Sequence, residues 1–313
     1  MTTPRISVLL PCFNHGAFVD EALASVFAQT CQDFEVVVVD DGSTDPATVE
    51  KLSSLTDPRV RVLRTANQGL PAARNHAARH ASGAVFCALD ADDRLAPTWF
   101  EKALRVLDEQ PSVAFVSHWL ETFGDERWTW TPERCDLPAL LARNAVNGAA
   151  LVRREAFEAV GGYDEAMQEG CEDWDFWLRL VEGGRSGAIV PEVLFYYRRR
   201  ADSMSRLMLD ESAYRRPLDV LVTKHASSYR QHMIDVIVAK EREALHLARE
   251  EADAISRKAA KVREQRARED ELAGLRARAA DLDAEVRALR SSWSWRVSAP
   301  LRRIYELLVG RGR

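Results

Sequence analysis

The feature that most constrains this 313-residue chain is the run Phe34-Glu35-Val36-Val37-Val38-Val39, followed at once by Asp40-Asp41-Gly42-Ser43-Thr44-Asp45. Four consecutive valines show no alternation of polar and apolar sides, so the segment reads as a strand buried on both faces. Such a strand needs helices above and below it, and the flanking sequence supplies them. From Ile6 to about Val116, β-rich runs alternate with amphipathic stretches. Strands are predicted from Ile6 to Leu10, Phe34 to Val39, Val60 to Leu63, Ala84 to Leu89 and Val113 to Ser117. Helices are predicted around Phe18 to Gln29, Ala47 to Leu55, Pro71 to His80 and Pro97 to Glu109, with Pro71 and Pro97 in first turns, where proline loses no hydrogen bond. That order generates a mainly parallel sheet with helices on both faces. From about Trp119 to Arg200 the sequence is less regular and rich in Trp and Gly, which suits an acceptor surface; it ends in a strand-like run from Ala188 to Arg198.

From about Leu245 the composition turns to Ala, Arg, Glu and Leu. Apolar or alanine positions recur at 245, 248, 252, 255, 259 and 262, and again at 272, 275, 279, 282, 286, 289 and 293. Alternating three-four spacing is a coiled-coil seam, and the three-residue skip near Arg266 to Glu271 is a stammer. A single solvated helix held by i,i+4 ion pairs is the competing reading. The end of the chain, with Trp293, Trp295, Arg302, Arg303, Tyr305, Arg311 and Arg313, suits a short segment attracted to anionic headgroups, or a helix docking onto the protein or a partner.

Several classes are disfavoured. A net charge of -5 marks no general nucleic-acid binder. Five scattered cysteines, Cys12, Cys31, Cys87, Cys135 and Cys171, form no CxxC pair and read as reduced thiols. No apolar run approaches the roughly 20 residues of a membrane span, and no leader-like segment precedes the first strand, so a cytoplasmic protein, soluble or peripheral on the inner face of a membrane, is expected. Neither G-x-G-x-x-G nor a Gly-Lys-Ser/Thr run occurs.

Three acidic clusters remain, each at a strand end or helix start, where α/β sheets hold ligands. In the Asp40 to Asp45 run, turn and N-cap chemistry explains Ser43 to Asp45 but not two adjacent carboxylates. Asp90-Ala91-Asp92-Asp93 sets two carboxylates where both reach one hard cation, and it lacks the glycine and distal glutamate of an EF-hand. Glu172-Asp173-Trp174-Asp175 opens a helix, where acidic residues favour the dipole, yet it lies beside tryptophans and after Gly161, Gly162 and Gly170, as a pocket wall would.

Together with Pro11-Cys12-Phe13-Asn14, Asn67-Gln68-Gly69-Leu70, Ala73-Arg74-Asn75 and Gly161-Gly162-Tyr163-Asp164, these clusters make the chain, over about Pro4 to Arg206, resemble a family 2 glycosyltransferase of GT-A fold, of the bacterial cell-surface polysaccharide type. The resemblance implies a nucleotide-sugar-binding catalytic domain over 1–206; beyond it the sequence reads as a helical connector over 207–240, a coiled coil over 241–290 and a basic aromatic segment over 291–313. It implies inverting transfer from a nucleoside-diphosphate sugar, UDP first among the candidates, to a saccharide or lipid-linked acceptor, with Mn²⁺ or Mg²⁺. Asp92 is then the principal metal ligand, Asp173 the general base and Glu172 its neighbour in the catalytic pair. Pro11, Phe13, Asn14, Asp41, Arg74 and Asp90 are the donor-binding candidates, although a salt bridge equally explains Arg74. Further expectations are pairing of chains through the coiled coil, peripheral membrane contact and no nucleic-acid partner. The rival readings are an inactive glycosyltransferase-like scaffold and a sugar nucleotidyltransferase; the latter lacks its Gly-rich, Arg- and Lys-bearing loop after the first strand.

Overall fold

A computed structural model describes residues 3–200, 211–292 and 305. The basic aromatic tail from Trp293 onward, Tyr305 excepted, lies outside the described residues. In chain order the elements begin β1 (Ile6–Cys12), α1 (Gly16–Phe27), β2 (Phe34–Asp41), α2 (Pro46–Ser53), β3 (Val60–Thr65), α3 (Leu70–His80), β4 (Val85–Ala88), β5 (Arg94–Leu95) and α4 (Trp99–Glu109). They continue with β6 (Val113–Gly124), β7 (Thr129–Trp130), α5 (Leu137–Ala142), β8 (Leu151–Arg153), α6 (Arg154–Ala159), α7 (Glu172–Glu182) and β9 (Ser186–Arg199). Then come α8 (Glu211–Lys224), α9 (Ala226–Gln231) and α10 (Met233–Ser291).

One mixed sheet runs in the order β3-β2-β1-β4-β8-β6-β9-β5, with β7 on the margin of β6. β3, β2, β1 and β4 are mutually parallel, as are β6 and β9, while β8 is antiparallel to both its neighbours. The valine run is buried on both faces as its composition requires: Val36 and Val38 enter one core, Val37 and Val39 the other. The first core takes Val19, Leu23 and Val26 of α1 and Trp99, Phe100 and Leu104 of α4. The second takes Ala73 and Ala77 of α3 and Phe176, Trp177 and Leu180 of α7. The chain lays β2 and β3 to one side of β1 and then crosses to lay β4 on the other. That reversal opens a crevice beyond the carboxyl ends of β1 and β4, where sheets of this kind hold ligands.

Two local expectations need correction. Pro97 stands outside α4, whose N-cap is Thr98, whereas Pro71 does occupy the first turn of α3. The strand predicted to stop at Ser117 continues to Gly124, because it pairs with the 14-residue β9. Register shifts at Val113/Phe115, His118/Trp119 and Trp119/Leu120 disturb the alternation by which a sequence announces a strand.

By internal contacts the chain divides into Met1–Glu241 and Arg242–Arg313. Leu221 of α8 is fully buried in the second core. Beside it, Asp175 accepts from Arg179 Nε at 2.7 Å and lies 2.7 Å from Lys224 Nζ and 3.0 Å from His225 Nε2. Those cations hold the buried Asp175 carboxyl down at about 2 against the pull of burial. In α10 every described residue from 244 to 291 is exposed, and the helix runs uninterrupted through 266–271. Among the described residues no helix is long and apolar enough to cross a membrane.

Candidate active site

A cleft of about 970 Å³ opens at the carboxyl ends of β1 and β4. Pro11, Cys12 and Phe13 form one wall as β1 ends, and Phe13 is 43% exposed there. Asn14 does something else. Its backbone is left-handed (φ 56°), its Oδ1 accepts from Thr44 and Asp45 backbone N–H groups at 2.8 and 2.9 Å, and its Nδ2 donates to Thr44 Oγ1. The side chain clasps the loop after β2 and is not among the cleft's lining residues. Asp45 spends its carboxylate capping α2, accepting from Ala47 and Thr48 N–H groups.

Asp41 lines the cleft and also holds the neighbouring backbone. Oδ1 accepts from Thr65 Oγ1 at 3.1 Å and Gln68 N at 3.0 Å, and Oδ2 from Gly69 N at 2.9 Å. It thereby fixes the turn into α3, where Gly69 adopts φ +91°. Asp40 is buried, accepts from Ser43 N and faces Arg64 Nε at 3.5 Å. The adjacent carboxylates thus each have partners within the fold, and Asp41 keeps its place on the cleft wall.

Arg74 is the centre of the site. It is 3% exposed; its Nη2 donates to Asp90 at 2.8 Å and its Nη1 to Glu172 at 2.7 Å. The guanidinium thus ties the second acidic cluster to the third. Burial works against its charge, but Asp90 and Glu172 outweigh that and hold it protonated. Asp92 pairs with Arg200 at 3.1 Å; burial first, and then the charge of Asp90, pushes its carboxyl above the ordinary range. Asp93 is fully buried and accepts from Arg198 N at 2.7 Å, binding the loop to β9.

At the far wall, α7 begins at Glu172 after left-handed Cys171 (φ 62°) and Gly170 (φ 119°). This turn presents Asp173 at the cleft, while Glu172 is buried against Arg74. Asp173 Oδ1 accepts from Trp174 N at 2.7 Å and Oδ2 from Asn144 Nδ2 at 3.2 Å. Burial, and then the charge of Glu172, raises its carboxyl to about 7, with Arg74 and Asn144 pulling the other way. A carboxylate with that value is half-ionised near neutrality and can accept a proton there.

The donor set for a divalent cation is a pair of hard carboxylates, Asp90 and Asp92, each already facing a guanidinium. Among the described residues no three His, Cys, Asp or Glu side chains converge as a complete metal cage. The pair fits Mg²⁺ or Mn²⁺ of the kind that takes its other ligands from water and phosphate.

The glycosyl transferase family 2 pattern matches residues 7–161, and a glycosyltransferase-like family 2 pattern matches residues 133–251. A PGL/p-HBAD biosynthesis glycosyltransferase of Mycobacterium bovis is 32% identical over 186 residues, covering 57% of this chain and 70% of that protein. The chain belongs to glycosyl transferase family 2. An uncharacterized glycosyltransferase of Haemophilus influenzae is 31% identical over 185 residues, 56% of this chain; the chain spans 62% of its length. The crystal structure of S. aureus TarS 1-349 in complex with UDP-GlcNAc superimposes with a TM-score of 0.55 at 21% identity, covering 64% of this chain and 60% of that TarS 1-349 chain; the likeness supports the GT-A fold.

Against that family pattern, sequence reasoning passed over several cleft residues: His15, Arg143, Asn144, Arg200, Tyr214 and Lys240. They carry no local signature. Asn144 and Asp173 are 29 positions apart, and only the packing of α5 beside α7 makes them neighbours.

Proposed function

We propose that this family 2 chain transfers a sugar from a nucleoside-diphosphate-sugar donor, with UDP the first candidate, to a hydroxyl of a saccharide or lipid-linked acceptor. The observation that carries the reading is the buried Arg74 bridge, which places the Asp90–Asp93 loop and the Glu172-Asp173 pair on one cleft. The TarS complex, a structural relative with UDP-GlcNAc bound, supports the choice of donor. Phe13 and Pro11 offer an apolar wall for the base. Asp90 and Asp92 are the residues that would hold a divalent cation, which as a Lewis acid stabilises charge on the departing diphosphate.

Asp173 takes the proton of the acceptor hydroxyl as that oxygen bonds to the anomeric carbon and the bond from that carbon to the diphosphate oxygen breaks. Attack opposite the leaving group inverts the anomeric configuration and needs only this base. Trp174 N–H and Asn144 hold the position of Asp173, and the charges of Glu172 and Arg74 tune its proton affinity. Cell-surface polysaccharide synthesis on the cytoplasmic side of a membrane fits this chemistry, as does an oligomer in which two copies join through the tail helix.

The test is a screen of UDP, GDP, dTDP and CDP sugars with Mn²⁺, reading thermal stabilisation and nucleotide release. A ligand at 100 times its dissociation constant stabilises by about 2.7 kcal/mol. Stabilisation by one donor, with slow hydrolysis lost in Asp173→Asn, is expected. Binding of every donor without any release from the wild type, with or without sugar acceptors, defeats the reading in favour of an inactive scaffold.

A further inference from the structure

The second half of α10 carries a seam of Leu272, Leu275, Ala279, Leu282, Val286 and Leu289 at alternating three- and four-residue spacing. The five larger side chains are 41% to 62% exposed, so nothing among the described residues buries them. In heptad terms Leu275, Leu282 and Leu289 take the d positions and Leu272, Ala279 and Val286 the a positions. Leucine at all three d positions, with β-branched Val286 at one of the three a positions, follows in part the pattern that favours two strands. The flanking g positions hold Glu271, Arg278 and Glu285, and the e positions hold Arg276, Asp283 and Arg290.

These six charges discriminate between arrangements. In a parallel, in-register pair each g residue faces the e residue five positions on in the second copy. Glu271 then meets Arg276, Arg278 meets Asp283 and Glu285 meets Arg290, and the two-fold axis repeats each contact; all are attractive. A parallel slip of one heptad sets Glu271 against Asp283 and Arg278 against Arg290. Antiparallel pairing over the full seam brings g to g and e to e. Arg278 and Asp283 then each meet their own copies, Glu271 meets Glu285, and Arg276 meets Arg290, so every contact repels. Sliding the antiparallel pair by a heptad relieves most of that repulsion but sets Val286 and Leu289 against Arg268 and Gln265, or carries Leu272 and Leu275 past the end of the described helix. Asp283 lies 3.1 Å from Arg287 one turn on, an exposed pair that leaves its carboxylate able to accept from a second guanidinium.

The earlier seam, from Leu245 to Val262, has no such rule: its flanks pair Ala244 with Arg249, Glu251 with Ser256 and Lys258 with Arg263. Orientation must then be written in the later heptads. We propose that α10 pairs with α10 of a second copy as a parallel, in-register two-stranded coil over residues 271–290, giving two catalytic sites per assembly. This rests on the reading that the tail joins two copies and adds direction and register to it.

The test uses the full-length chain in light scattering coupled to gel filtration. The wild type is expected at twice the 35.2 kDa chain mass. Two variants, E271R/E285R and R276E/R290E, each place like charges across the parallel seam. Each alone should self-associate at least about tenfold more weakly, and an equimolar mixture should regain the dimer, because the mutated flanks complement one another. Ala279→Cys should form a disulfide-linked dimer on oxidation that the wild type does not, since a position 279 in a parallel coil meets itself. A wild type at 35.2 kDa overturns tail pairing altogether. A dimer that survives both charge variants, or one in which Ala279→Cys fails to cross-link, keeps an oligomer but defeats the parallel arrangement.

Discussion

If Asp173 is the general base, the pH dependence of the reaction is set by its raised carboxyl. With a value of about 7, a tenth of it is ionised at pH 6, so transfer should fall about tenfold for each pH unit below neutrality. Arg74 is the lever on that value: its positive charge lowers the Asp173 pKa, so Arg74→Gln should move the acid limb to higher pH. The same change strands Glu172 beside Asp173 in a buried position. Removing one partner of a buried ion pair costs about 3–5 kcal/mol, or roughly 6–20 °C in melting temperature for a unit of this size. Arg74→Lys keeps the charge but not the forked geometry that reaches Asp90 and Glu172 together, and should lie between. Asp173→Asn should lose about 10²- to 10⁴-fold in kcat and show no acid limb at all.

Stability gives an independent check. A carboxyl whose folded value is raised contributes stability at low pH, below its ordinary value of 3.8, that is lost as pH climbs through about 7. At pH 8 the ionised Asp173 therefore opposes folding by up to about 4 kcal/mol, and Asp173→Asn should be the more heat-stable protein there while being the less active one. The assay is the initial rate of nucleoside diphosphate release between pH 5 and 9, beside melting curves on the same samples. A wild-type rate that stays level from pH 7 down to pH 5, or an Arg74→Gln limb displaced to lower pH, would refute the assignment.

Chelation with EDTA, or Asp92→Asn, should abolish transfer and weaken donor binding, because diphosphate charge then lies beside Asp90 without its cation; full activity in excess EDTA rejects a metal role. His225 sits between Asp175 at 3.0 Å and Glu182 at 2.9 Å. Burial opposes its charge, but the bond to Asp175 prevails and its pKa is raised, so the stability it adds is full below 6.5 and fades as pH rises through the higher folded value. The gap in denaturant midpoint between the wild type and His225→Gln should therefore shrink from pH 6 to pH 9; a constant gap contradicts the imidazolium clamp. Gly187→Ala should destabilise by about 1–3 kcal/mol, since a Cβ there would sit 2.2 Å from the buried Phe115 ring. Denaturation at the wild-type midpoint would contradict that overlap between β9 and β6.

The sequence alone determined what has a short period or a fixed local chemistry. A run of valines is buried on two faces wherever it lies in a sheet, Pro71 suits a first helical turn, and the seam over 272–289 follows from spacing. Acidic clusters at the ends of β2 and β4 and at the start of α7 were legible for the same reason, since the carboxyl end of a parallel strand is where such residues collect. Their use was not legible. Asp41, read as a ligand group, lines the cleft and also receives Thr65, Gln68 and Gly69; Asn14, read as a donor contact, clasps Thr44 and Asp45. Arg74 could not be assigned between diphosphate and salt bridge until its partners were known, 16 residues away at Asp90 and 98 away at Glu172. Those partnerships depend on how the chain reverses across the sheet and on left-handed turns at Gly69, Gly170 and Cys171. Side-chain period is a property of neighbours along the chain. Which buried charge finds which counter-charge is settled by the path between them, because an ion in a low-dielectric interior takes whatever partner the packing brings within about 4 Å.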